Sequence, residues 1–208
     1  RIEEMIREGR YAVGDNLPSE RELMEELGVG RSAVREALMS LNRMGLVAVN
    51  SGERARVTAP TARFLVSELS GAARLLLAQP GGVRSFQEAR ALLEIGLCRV
   101  AAQRATESDL QMLKAALETN RAAINDPAAF VRTDVAFHYA IAAISRSSIF
   151  ISVHDAVVEW LQEQRSTALR ARGTAELAYA AHQRIFDAIA AHDPAAAEAA
   201  MEDHRNAI

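Results

Sequence analysis

Between Leu17 and Val57 the chain passes through a helix opener, a glycine turn, a second helix and two short apolar strands, an order that few folds accommodate. Leu17-Pro18-Ser19-Glu20-Arg21-Glu22-Leu23 opens the first helix, with Ser19 placed to cap it. Gly28-Val29-Gly30 turns the chain, Gly30 allowing a tight entry into the next element. Arg31-Ser32-Ala33-Val34-Arg35-Glu36-Ala37-Leu38 follows at once, and Val34, Leu38 and Leu41 recur at helical spacing, so they are expected inside. Two short strands then flank Asn50-Ser51-Gly52. This succession predicts a winged helix-turn-helix.

The outward face of the second helix carries the chemistry. Arg31, Ser32 and Arg35 lie opposite the apolar stripe, the two arginines one turn apart. That set suits a major groove, where Arg forks onto guanine edges and Ser reaches a base or a phosphate. Ser51-Gly52 turns the wing, and Arg54 and Arg56 follow closely enough to meet phosphate. The same residues also fit a solvated helix face or a protein-contacting unit. Charge does not separate these readings: residues 1–58 hold nine arginines and no lysine against ten acidic side chains. The whole chain, at formal charge -3, has no basic footprint.

The remainder reads as helical. Half the residues are hydrophobic but only 5% are aromatic, which favours closely packed helices over a large sheet. A length of 208 residues holds one small and one medium domain with a real core. Cys98 is the only cysteine, so an internal disulfide is impossible and a reducing, cytoplasmic setting is expected. No secretory segment is visible, and no apolar run reaches the ~18 residues of a membrane span. The chain opens on Arg1 without Met, so the true amino terminus is expected upstream.

Residues 1–10 are expected to form a first helix with Ile2, Met5 and Ile6 inward. Thr61 to about Gln79 reads as one connecting helix, stopped by Pro80-Gly81-Gly82. Thr106-Glu107-Ser108-Asp109 resembles a capping box, while Asp126-Pro127 and Asp193-Pro194 each pair a cap with a first-turn proline. Arg172-Gly173-Thr174 separates two further helices. About six helices and no strand are expected between residues 83 and 208. The fold class is therefore mostly α: a winged helix-turn-helix at 1–60, a connecting helix and turn at 61–82, and an all-helical bundle at 83–208.

That bundle holds a group of residues with metal-binding chemistry. Asp134 and His138 stand four apart and share one helix face. His182 lies at helical spacing with Phe186 and Ile189, and His204 follows Ala197, Ala200 and Met201 on the inner side of the last helix. Three imidazoles and a carboxylate suit one divalent cation, zinc first, with nickel or manganese as options. Taken singly, each histidine more often marks a satisfied core position, and spacing alone does not join His182 and His204 to Asp134. His154, with Val158 and Leu161, reads as a core residue. His192, beside Asp193-Pro194, reads as a partner of a helix dipole.

The stretches Leu17–Leu23, Gly28–Arg31 and Val34–Leu38 resemble the amino-terminal domain of GntR-type bacterial transcription regulators. The resemblance implies that Arg21, Arg31, Ser32, Arg35 and Gly52 approach operator DNA. Gly30 stands where many members carry Ser or Thr. Asp134-Val135-Ala136-Phe137-His138, His182 with Ile185 and Ala188-Ile189, and Met201-Glu202-Asp203-His204 are similar to the all-helical FCD effector domain of the FadR branch. This implies that Asp134, His138, His182 and His204 bind a metal at the bundle centre and that the metal holds a carboxylate effector. Arg90-Ala91-Leu92-Leu93-Glu94 resembles that domain's first helix, implying that Arg90 faces the effector carboxylate. An exposed arginine paired to Glu94 fits the same residues.

Within the branch, Ser51–Val57, Leu69-Ser70-Gly71, Pro80-Gly81-Gly82, Ala129–Asp134 and Glu159-Trp160-Leu161 resemble members that regulate sialic-acid catabolism. N-acetylneuraminate or a similar acidic sugar is the effector this implies. Arg146-Ser147-Ser148 departs from the Gly-Asn-Pro segment usual beside the branch's effector cavity. The resulting expectation is a homodimeric repressor on a two-fold operator, released when effector binding shifts its conformational balance. A regulator of the same architecture answering to another sugar acid, lactate or a dicarboxylate is the alternative. A metalloenzyme is more remote, because no motif places a general base beside the cluster.

Overall fold

The computed structural model describes residues 1–162 and 173–207. Its elements begin where side chains can satisfy the orphan amides of a helix start. Helix α1 (Ile2–Arg7) stops short of the expected span because the chain turns left-handed at Gly9, φ 78°. Helix α2 (Glu20–Leu27) opens on a reciprocal cap: Ser19 Oγ accepts the Glu22 N–H, and the Glu22 carboxylate accepts the Ser19 N–H at 2.7 Å. Gly28, φ 66°, ends it. The tight turn therefore belongs to Gly28. Gly30 sits at φ -79°, open to any residue, and leaves helix α3 (Arg31–Arg43) without a side-chain cap.

Strand β1 (Val47–Ala48) pairs antiparallel with β2 (Arg56–Val57), Val47 opposite Val57, and Gly52 supplies the positive φ of the wing turn. Leu17 and Leu23, Val34, Leu38 and Leu41 of α3, and Val47 and Val57 of the wing share one core. Each such side chain contributes about 1.5–3 kcal/mol on burial. Thr61 caps α4 (Ala62–Ser67), whose Phe64 ring packs so closely on Gly45 that a Cβ there would lie 2.8 Å from it.

The single connecting helix expected from Thr61 to Gln79 is instead two, α4 and α5 (Ser70–Leu77). Through Glu68 and Leu69 ψ relaxes to -22° and -14°, values of a tighter turn, and the Ser67 hydroxyl donates to the Phe64 carbonyl. The chain divides into its two compact units at this break, Arg1–Glu68 and Leu69–Ile208.

The second unit continues through α6 (Gly82–Arg104), α7 (Glu107–Ala122), α8 (Pro127–Ile144), α9 (Ser148–Trp160), α10 (Thr174–Ala190) and α11 (Pro194–Ala207). Those are six helices after α5 among the described residues. Thr106 and Asp109 form the anticipated reciprocal cap, and Asp126 and Asp193 each accept two amides at the starts of α8 and α11. Gly173, φ 82°, precedes α10; Arg172 lies outside the described residues. Helix α6 packs against α8, α9, α10 and α11. Small residues on it, Cys98, Ala101 and Ala102, let those neighbours approach closely. Phe137, Ile141, Ile185, Ile189 and Met201 complete the core. No helix among the described residues is long and apolar enough to cross a membrane.

Candidate nucleic-acid face and metal centre

On α3, Arg31, Ser32 and Arg35 are exposed on the side away from buried Val34, Leu38 and Leu41. Arg21 is exposed on α2, and Gly52 is exposed in the wing turn. The arginines are not idle. Arg35 Nε donates to both carboxylate oxygens of Glu20, at 2.8 and 3.0 Å, and Arg31 Nε lies 3.7 Å from the same group. Arg21 pairs with Glu25 at 3.6 Å and Arg54 with Glu22 at 3.7 Å. Exposed pairs of this kind contribute about 0.2–1 kcal/mol, little enough for a polyanion to displace. Arg56 is exposed on β2. Its Nε donates to the Gly14 carbonyl at 2.7 Å, which braces the wing and holds the exposed guanidinium in place.

In the second unit, Asp134 and His138 of α8, His182 of α10 and His204 of α11 are all buried, and one ligand atom from each lies within 4.8 Å of the others. The i, i+4 spacing puts the first pair on one face, and the packing of α10 and α11 supplies the rest. His182 Nε2 lies 3.2 Å from Asp134 Oδ1, and His138 Nε2 lies 3.9 Å from the same oxygen. The His138 and His204 rings stack at 5.2 Å. Burial pushes His138 down to about 3 despite the nearby Glu94 carboxylate, so its ring is neutral at ordinary pH. Neither of its ring nitrogens has a hydrogen-bond partner among the described residues. Leaving such groups unsatisfied costs about 1–3 kcal/mol each, and a cation would engage one of the two. Three imidazoles and one carboxylate in a dry setting are a donor set for zinc or a similar divalent ion.

Three further buried polar side chains surround the group, and sequence reasoning assigned none of them to it. Asn120 of α7 meets His182 Nδ1 at 3.0 Å. Glu94 of α6, 3% exposed, accepts from Arg90 Nε at 2.9 Å, and its Oε1 lies 3.6 Å from both His138 Nδ1 and His154 Nε2. Arg90 thus makes the ion pair its sequence allowed, beside the cluster. The signal for Asn120 was present: Leu113, Leu117 and Asn120 form a buried stripe at helical spacing, and a polar residue on that stripe needs a reason. Glu94 interrupts the buried face of α6 in the same way, between Ala91 and Leu97.

His192 stands at a helix end, as its place beside Asp193-Pro194 predicts, and also makes a contact to α6. It lies past the end of α10 at φ 52°, and its Nδ1 meets the carbonyl of Ala102 in the last turn of α6 at 2.9 Å, so it stands at the C-terminal ends of two helices and joins them. Arg146, at φ 54°, donates to Asp109 at 2.6 Å and ties the α8–α9 turn to the start of α7. A cavity of about 360 Å³ between α8 and α9 is lined by Val131, Arg132, Val135, Asp155, Val158, Glu159 and Gln162, none of them a member of the metal group.

Comparison with known proteins accounts for both units. Residues 1–57 match the family of bacterial regulatory proteins of the gntR family, and residues 86–207 match the FCD domain. The chain is 44% identical over 209 residues to the HTH-type transcriptional repressor NanR of Enterobacter sp. (strain 638), covering 100% of this chain and 80% of that protein. Its identity to NanR of Escherichia coli (strain K12) is 43% over 211 residues, with the same coverage. Among solved structures, a Streptococcus agalactiae GntR protein superposes with a TM-score of 0.64 at 28% identity, covering 100% of this chain and 94% of that one. E. coli McbR/YncC shares the fold at a TM-score of 0.56 and 19% identity, over 95% of this chain and 86% of that one. Both NanR proteins are transcriptional repressors, not enzymes. With its reading head and its helical domain both matched, the chain belongs to the gntR family of bacterial regulatory proteins, as a DNA-binding transcriptional repressor with an FCD effector domain.

Proposed function

We propose that this repressor holds a divalent cation, zinc first, on Asp134, His138, His182 and His204, and that an acidic sugar bound there controls its affinity for operator DNA. The observation that carries this reading is the buried group itself: four ligand atoms within 4.8 Å, one of them on a histidine that burial keeps neutral. When bound, the cation supplies a Lewis-acidic point for a carboxylate oxygen. Arg90, beside Glu94 at the edge of the cluster, is the side chain to take the effector's carboxylate, exchanging one anionic partner for another. Resemblance of the wing and of Ala129–Asp134 to regulators of sialic-acid catabolism supports N-acetylneuraminate as the effector. Arg21, Arg31, Ser32, Arg35 and Gly52 are assigned to the operator, within a reading head at 1–60. A homodimer places two heads on a two-fold site. The segment at 61–82 couples them to the effector domain at 83–208, through a difference in effector affinity between two conformations.

The experiment is elemental analysis of the purified protein paired with calorimetric titration of N-acetylneuraminate. About one metal per chain and a saturable heat, both lost in His138→Ala, are expected. Metal without heat would remove the sugar and keep the sensor. The Arg146-Ser147-Ser148 turn, where the branch usually has Gly-Asn-Pro, is the observation that favours another sugar acid, lactate or a dicarboxylate in that event. A metal-free wild-type protein would remove the centre altogether.

A further inference from the structure

Asn120 is fully buried on α7, one turn beyond Leu117. Its amide is oriented by a chain of hydrogen bonds that can be followed atom by atom. The Thr133 hydroxyl lies 3.0 Å from the carbonyls of both Ala129 and Phe130, so its single proton is engaged there. What it offers Asn120 is therefore a lone pair, and Asn120 Nδ2 donates to it at 3.0 Å. That leaves Asn120 Oδ1, an acceptor only, facing His182 Nδ1 at 3.0 Å. The proton of this contact must sit on Nδ1. In a neutral imidazole Nε2 then carries a lone pair, 3.2 Å from a carboxylate oxygen of Asp134. Two acceptors at that distance repel unless a proton or a cation lies between them.

We infer that Asn120 is a positioning residue for the metal centre, setting the tautomer and ring plane of His182 so that Nε2 faces the ion. The assignment rests on the proposed metal centre. A core alone would not need the amide, since a leucine of similar volume would continue the stripe of Leu113 and Leu117. Histidine ligands commonly donate their second N–H to such an acceptor, and removing it typically costs 10–100-fold in metal affinity.

The test measures zinc affinity of the full chain by competition with a chromophoric chelator, alongside the melting temperature of the metal-free protein. Asn120→Leu keeps the volume and removes the acceptor. Asn120→Asp keeps the acceptor and buries a charge. The two readouts should then run in opposite order. Asn120→Leu should bind zinc about 10–100-fold more weakly with a metal-free melting temperature at or above wild type. Asn120→Asp should bind zinc at least as tightly as wild type while its metal-free form melts lower. Wild-type affinity in Asn120→Leu, or affinity that tracks stability in both variants, would overturn the assignment. If Asn120→Leu does not fold, Thr133→Val frees the amide to turn, and unchanged zinc affinity there overturns it equally. A wild-type chain that takes up no zinc overturns the metal centre itself, a result read before any variant is made.

Discussion

Arg35 of α3 and Glu20 of α2 are joined by the Arg35 Nε, which reaches both carboxylate oxygens at 2.8 and 3.0 Å. Arg31 shares the same acid at 3.7 Å, so one carboxylate holds both α3 arginines proposed for the operator. DNA must compete with Glu20 for them, and the carboxylate itself repels phosphate. Glu20→Gln should therefore tighten operator binding a few-fold, in line with about 0.2–1 kcal/mol for an exposed pair. Fluorescence anisotropy with labelled operator at several salt concentrations reads this directly. Weaker binding in the variant would show that Glu20 orients the arginines for DNA and does not restrain them.

Removal of Arg35 itself probes the opposite side of the same pair. Arg35→Ala should cost about 1–3 kcal/mol of operator affinity and relax the preference at one base position, as expected for a base-reading arginine. Metal content should stay at the wild-type level, because the change lies in Arg1–Glu68 and the ligands lie in Leu69–Ile208. A uniform loss across all sequences would make Arg35 a phosphate contact instead.

Acid should destabilise the metal-free protein through His138. Burial holds its folded-state pKa at about 3, while in the unfolded chain the ring titrates near its ordinary 6.5. Above that upper value neither state binds the proton, and the native state keeps its full advantage. As pH falls from about 6.5 towards 3, only the unfolded state takes it up, and stability drops by about 1.4 kcal/mol per pH unit for one group. Denaturant titrations at stepped pH should show this slope in wild type and a shallower one in His138→Gln. Equal slopes would mean that His138 protonates freely in the native state.

Cys98 should be inert in the folded protein. Burial first, and the Glu94 carboxylate second, raise its thiol well above the ordinary value, so the reactive thiolate is scarce. An aromatic disulfide reagent should count no thiol in native protein and one per chain after denaturation. Rapid labelling of the native form would reveal an opening of α6 on the time scale of the assay.

Much of this chain is decided within a few residues of sequence. The Ser19 and Thr106 caps, the Asp126 and Asp193 turns with their prolines, and the stripe of Val34, Leu38 and Leu41 all rest on groups no more than seven positions apart. Steric rules and hydrogen bonding act over that range, so they can be read from one line of residues. Where two local rules compete, the reading weakens. Gly28 and Gly30 both looked like the turn, and only the backbone angles show that Gly28 makes it. The Ser67 hydroxyl ends α4 inside what periodicity takes for one continuous helix.

The sites draw on longer distances. Spacing alone placed Asp134 beside His138; only resemblance to a family joined His182 and His204 to them. No spacing rule could have brought Asn120 to His182 across 62 positions, Arg35 to Glu20 across 15, or His154 to Glu94. Those meetings depend on how each helix is rotated about its axis and how closely its neighbours approach, which the packing of whole faces settles at once. Residue type and spacing are enough to say which side chains of a helix turn inward and what chemistry they carry. Tertiary structure decided which of them share an ion, a proton or a charge, because a buried polar group must find its partner on whichever helix packing brings within reach.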